Sequence, residues 1–122
     1  LVIPDWEQEC VSFFSRTFRR GYARGTTVEV YGDTAVVTSL DLQHQPTLRL
    51  HVGALRLSHN TSLTDLAKFF PRAVRQQSPL DDYYLGRVTE VALATGQPLS
   101  DDHWKLLLKN GKLVRIDYWM PC

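Results

Sequence analysis

Apolar residues in this chain recur first at helical spacing and then, from residue 26 onward, at every second position. Trp6, Cys10, Phe13, Phe14 and Phe18 share one helical stripe, preceded by Pro4 and by Asp5 and Gln8 in a capping-box arrangement, and the run stops at Gly21. This spacing predicts an amphipathic helix over about residues 5–20, with Cys10 facing the core. Alternation then carries Val28 and Val30 to Gly32-Asp33, a two-residue hairpin signal, and on to the β-branched run Ala35-Val36-Val37-Thr38. After the polar stretch 41–46, Leu48, Leu50 and Val52 oppose Arg49 and His51, Gly53-Ala54 turns the chain, and Leu55 and Leu57 return.

Ser62-Leu63-Thr64-Asp65 is a second capping box, and Leu63, Leu66, Phe69 and Phe70 give a helical apolar face that Pro71 ends, so a short helix is expected over about 62–70. Residues 75–87 have no period and read as the longest ordered loop. Val88, Val91 and Leu93 predict a strand that ends at Thr95-Gly96-Gln97-Pro98. Asn110-Gly111 tolerates positive φ at both central positions and predicts a tight hairpin between Trp104–Lys109 and Lys112–Trp119. Simple pairing across it sets Leu107 beside Val114, Lys105 beside Ile116 and His103 beside Tyr118 on one face. Leu108 with Leu113, Leu106 with Arg115 and Trp104 with Asp117 fall on the other. Both faces are more apolar than a sheet solvated on one side requires. Either helices, tail and loops cover them, or part of one face binds protein.

Together these segments predict a single α+β domain over residues 1–122. Its mostly antiparallel sheet of about six or seven strands carries the N-terminal amphipathic helix and the second short helix packed on it. A sandwich or half-barrel curled round the first helix fits the same pattern. At 122 residues, 43% hydrophobic and 22% charged, the chain suits one core. A net charge of +1 sets up no global field toward nucleic acid or an anionic membrane, so no nucleic-acid partner is expected. The cluster Arg16, Arg19, Arg20 and Arg24 reads as cations complementing the end of the first helix. No run reaches the roughly 18 apolar residues of a membrane span.

The two cysteines, Cys10 and Cys122, are expected to form a disulfide tying the tail to the first helix, worth about 4–5 kcal/mol in the chain-entropy model. Such bonds persist in oxidising compartments, which implies a periplasmic or otherwise extracytoplasmic protein; two free thiols are the alternative. A start at Leu1 agrees with a removed export signal or a trimmed chain. His44, His51, His59 and His103 lack metal-ligand spacing, and the phosphate-loop and serine-elbow motifs are missing, so neither metal nor cofactor is expected. Asp81-Asp82, and Asp101-Asp102 before His103, could serve a small hydrolase as acid and base, though adjacent carboxylates in turns more often cap or stay solvated. Asn60-Thr61-Ser62 matches a glycosylation sequon but reads first as a helix start. In Asp81-Asp82-Tyr83-Tyr84, two rigid amphipathic rings stand beside two carboxylates, a composition suited to recognition; an aromatic lid over the core edge is the other reading.

Three stretches, Leu48–Leu57, Asn60–Pro71 and Trp104–Leu113, resemble small exported bacterial α+β proteins in which a hairpin feeds a capped helix and a later strand pair turns at an "nGkL" sequence. The resemblance covers about half of the chain and extends to envelope lipoproteins and to immunity proteins that neutralise secreted toxins; the long N-terminal segment with Cys10 departs from the smaller lipoproteins. It carries over no functional residue, but with the expected disulfide, the missing catalytic constellation and the doubly apolar last hairpin near the acidic-aromatic loop the expectation is a non-catalytic protein-binding module, foremost an immunity-type inhibitor that occludes a toxin's active site. An envelope assembly or structural accessory protein is the second reading, and a hydrolase using the acidic pairs and His103 the third. The partner-binding residues expected are Asp81, Asp82, Tyr83, Tyr84, Asp101, Asp102 and His103, with no catalytic residue. A homodimer through an edge strand or the last hairpin is compatible with each reading.

Overall fold

Three consecutive leucines, Leu106, Leu107 and Leu108, are all buried, which a strand permits only when both of its faces are covered. The computed structural model describes residues 19–23, 26–31, 34–52, 54–94 and 102–119. Its strands are β1 (Arg19–Ala23), β2 (Thr26–Tyr31), β3 (Thr34–Asp41), β4 (Leu50–Val52), β5 (Leu55–Leu57), β6 (Ser78–Asp82), β7 (Gly86–Ala94), β8 (His103–Lys109) and β9 (Lys112–Trp119). Its helices are α1 (Leu63–Phe69) and α2 (Pro71–Arg75). Seven strands form one antiparallel sheet in the order β1-β2-β3-β9-β8-β7-β6, and β4 and β5 form a separate hairpin.

The expected α+β class is thereby corrected to a mostly β fold. Arg19 and Arg20, assigned from the sequence to the last turn of the N-terminal helix, open strand β1, where pairing of Arg20 with Glu29 and Tyr22 with Thr27 overrides helical spacing. Among the described residues the helices are only seven and five residues long. Residues 5–18 of the expected amphipathic helix lie outside the described residues. So do Cys10 and Cys122, and the expected disulfide with them.

One face of the sheet builds the large core from Val91, Leu93, Leu106, Leu108, Leu113 and Ile116. Helix α1 brings Leu66 onto it, α2 brings Val74, and the β4–β5 hairpin brings Leu55 and Leu57. The opposite face holds a smaller cluster, Leu85, Val88, Leu107 and Val114, with Leu80 against it.

A one-residue slip in the final hairpin makes this division possible. Asn110 and Gly111 adopt φ of 53° and 78°, the two positive values a tight hairpin turn needs. Pairing starts as the sequence suggests, with Leu108 opposite Leu113, but then Leu107 meets Arg115, Leu106 meets Ile116, Lys105 meets Asp117 and Trp104 meets Tyr118. Val114 is the extra residue of a β-bulge. Without it, strict alternation from Leu113 would push Arg115 into the large core and turn Ile116 away; with it, Leu113 and Ile116 both enter that core and Val114 enters the small one. The Val114 carbonyl accepts the amides of Leu42 (3.0 Å) and Gln43 (3.1 Å), which seats the fully buried Leu42.

Helix α1 begins where expected. The Ser62 hydroxyl accepts from the Asp65 amide at 3.1 Å and the Asp65 carboxylate accepts from the Ser62 amide at 3.0 Å, completing the box. That backbone hydrogen bond from Ser62, followed by the one to its side chain, lowers the Asp65 pKa. Bonds from Leu113 N–H to the Thr61 carbonyl (2.9 Å) and from Leu63 N–H to the Gly111 carbonyl (3.2 Å) dock the helix start on the final hairpin. Pro71 ends α1 and, at the first position of α2, starts another helix that the sequence pattern did not suggest.

The expected loop over 75–87 is corrected as well. Ser78–Asp82 is strand β6, paired with β7 from Ser78 opposite Glu90 to Asp82 opposite Gly86. A single inward apolar residue, Leu80 opposite Val88, is all its pattern offers, and Pro79 is tolerated because β6 is an edge strand. Among the described residues, no helix is long and apolar enough to cross a membrane.

Candidate functional site

Beyond the small core, the same face of the sheet is charged. Arg115 of β9 reaches Asp82 of β6 through Nη2 to Oδ1 at 2.6 Å and Nη1 to Oδ2 at 3.2 Å, and Asp117 of its own strand through Nε to Oδ1 at 3.0 Å. Ser39 of β3 donates its hydroxyl to Asp117 at 2.7 Å. Strands β6 and β9 are separated by β8 and β7, about 14 Å in a flat sheet, and side chains standing upright on a flat sheet would not meet over that span. The sheet therefore curls toward this face, with Arg115 drawing the two strands together. Burial pushes the Asp82 pKa up, but the Arg115 guanidinium and the Leu85 and Tyr84 amides outweigh it and hold the carboxyl below its ordinary value.

Asp82 also shapes the turn that follows. Its Oδ2 accepts the amides of Tyr84 and Leu85, each at 3.0 Å, while Lys109 Nζ donates to the Leu85 carbonyl at 2.8 Å. Leu85 is buried, and Gly86 takes a φ of 76° to re-enter the sheet. On this fixed base, Tyr83 and Tyr84 are 92% and 85% exposed, with their rings edge to face at 4.9 Å between centroids. Asp81 stays outside the network and pairs with Arg87 at 3.0 Å, both well exposed.

The other candidates lie at the far end of the sheet. His103 stacks on Trp119 at 4.6 Å between centroids, and Lys105 lies 5.6 Å over the Trp119 ring and 3.9 Å from Glu90. Asp102 accepts the Tyr118 hydroxyl; burial first, then that hydrogen bond and the carboxylate charge, push the Tyr118 pKa up to about 12. Tyr118 packs edge to face on Trp104 at 5.2 Å. Asp101 lies outside the described residues. Asp81 is registered with Arg87 and His103 with Ala94, seven residue steps apart along β7, or about 24 Å. The expected partner-binding residues thus form two separate groups, and Asp81-Asp82 is not brought to His103 as acid–base chemistry would require. Exposed His44 is held through Nδ1 by Asp41 at 2.6 Å, and Asp41 is registered opposite Arg115.

On the large-core face, a cavity of about 200 Å³ remains between the sheet and the β4–β5 hairpin. Leu93, Leu106 and Ile116 form its floor, and Leu50, Leu57 and Trp104 its walls. His51, which is exposed, stands at the mouth.

Sequence reasoning found the tyrosine turn but not what holds it. Lys109, Arg115 and Ser39 are ordinary strand residues by pattern; the one clue was Arg115 in an apolar strand, which asks for a carboxylate partner. Among the described residues no three His, Cys, Asp or Glu side chains converge as a metal site. Comparison with known protein families, curated proteins and solved structures returns no match for this chain.

Proposed function

We propose that this chain is a non-catalytic protein-binding module that engages its partner with the Tyr83–Tyr84 turn. The carrying observation is the pairing of near-complete ring exposure with a backbone fixed by Asp82, Lys109 and buried Leu85. An aromatic tip that is already ordered loses little conformational entropy on binding, which is what makes tyrosine effective in recognition loops. Two such rings bury about 300–400 Å² between them, close to half of one side of a standard interface. Asp82 is committed to the fold, so Asp81 and Arg87 are the charged groups at the tip left to meet a partner.

In its specific form the reading is an extracytoplasmic immunity-type inhibitor whose tyrosine tip enters a toxin's cleft. Its support is the cysteine pair and the resemblance of the hairpin and capped-helix segments. The test is to capture a partner on the immobilised protein, identify it by mass spectrometry, and measure its Kd for wild type and for Tyr83→Ala/Tyr84→Ala. Both side chains point into solvent, so the variant folds normally, and a loss of about 100-fold or more is expected for two central aromatic contacts. Equal affinity of the two proteins would refute the reading.

A further inference from the structure

The cavity under the β4–β5 hairpin plays no part in the tyrosine turn, which belongs to the opposite face and end of the sheet. Six of its seven lining residues are apolar and none is an Asp, Glu, Lys or Arg. Three of the lining residues, Leu57, Leu106 and Ile116, are at most 1% exposed, so the large core closes the base of the space, which opens outward past Leu50, His51 and Trp104. Water gains little there, because an ordered water needs two to four polar partners and the lining side chains offer only the His51 ring and the Trp104 indole N–H. A cavity of about 150 Å³ with comparable walls suffices to hold benzene, and this one, at about 200 Å³, has room for one or two fused rings.

The walls are also preformed. Leu93, Leu106 and Ile116 come from three adjacent hydrogen-bonded strands, β7, β8 and β9, in fixed register. Trp104 is restrained by its edge contact with Tyr118, whose hydroxyl is anchored on Asp102, so the indole stays in place as an aromatic wall. A flat apolar guest would therefore meet an aromatic wall on one side and branched aliphatic groups on the others, with its one polar edge at the mouth beside His51.

We propose that this cavity is a binding site for a small neutral aromatic molecule of one or two rings with a single polar group. Indole is the probe. The chain has two isoleucines, Ile3 and Ile116, so methyl NMR of isoleucine-labelled protein gives a clean reporter on the cavity floor. Titration with indole is expected to move the Ile116 δ-methyl signal progressively and to saturation, through the ring current of the guest. In Leu50→Phe, whose half-buried position lets a larger ring fill the space without entering the deepest core, the indole affinity is expected to fall at least tenfold. Amide spectra of that variant report separately that it is folded. An Ile116 signal that stays fixed up to the solubility limit of indole would overturn the site. So would an unchanged titration in folded Leu50→Phe.

Discussion

Replacing Arg115 with methionine keeps the length of the side chain and its contacts with the small core while removing the charge that draws β6 to β9. The guanidinium makes five hydrogen bonds to two carboxylates, and Arg115, Asp82 and Asp117 are 18%, 13% and 24% exposed. Removing one partner of a buried ion pair costs about 3–5 kcal/mol, chiefly because the other charge is left behind. Here Asp82 keeps the Tyr84 and Leu85 amides and Asp117 keeps the Ser39 hydroxyl, so the lower end, about 3 kcal/mol at pH 7, is expected. The sign of the pH dependence follows from Asp82. In the wild type its folded pKa lies below the unfolded value of 3.8, so its contribution is fully present above 3.8 and is lost as pH falls through the lowered folded value. Without Arg115 the burial effect remains and the largest lowering influence is gone, so the folded pKa rises and the penalty shrinks as acid neutralises the carboxyl. Urea unfolding of both proteins at pH 7 and pH 3 measures this, provided the slopes with denaturant agree. Adding Asp82→Asn to Arg115→Met is expected to restore about 1 kcal/mol or more at pH 7, because the amide oxygen still caps the turn without a stranded charge. A loss under about 1 kcal/mol at pH 7, or an equal loss at both pH values, would refute the role given to Arg115.

Three further outcomes are expected. Ser62→Ala removes one half of the capping box and should cost about 1 kcal/mol in urea unfolding, with the fold kept. Ultraviolet titration of the tyrosines should show a late step near pH 12 from Tyr118, moving to lower pH in Asp102→Asn, which removes the acceptor charge. Gly86→Ala meets open space but is held at a φ of 76°, so a loss of about 1–2 kcal/mol is expected from backbone conformation alone, again read by urea unfolding.

The segments that read correctly are those whose structure is set locally. The Ser62 cap, the Asn110-Gly111 turn and the alternation of Leu55 and Leu57 each follow from a few adjacent residues, and each stands where expected. The misreadings share one cause, which is pairing with the next strand overriding the segment's own pattern. Arg19–Ala23 and Ser78–Asp82 have weak strand composition and become strands through β2 and β7. The Val114 bulge left a trace in Leu113-Val114-Arg115-Ile116, where strict alternation would have buried an arginine, but the choice between bulge and misplaced charge needs the core in view. The tyrosine tip was visible as composition, whereas its support from Asp82, Lys109 and Arg115 spans more than thirty residues of sequence.

Pro79 decides in which direction this sheet can grow. An edge strand exposes unpaired amides and carbonyls that a further strand, from a second copy or from a misfolded chain, can use as a template. On β6 that row is interrupted in its second residue by a group with no hydrogen to donate, and the exposed carboxylate of Asp81 sits two residues on. Fibre seeding along β6 is blunted at the same place where the turn offers its two bare rings. An aromatic surface can thus be displayed beside a sheet edge without inviting the edge itself to polymerise.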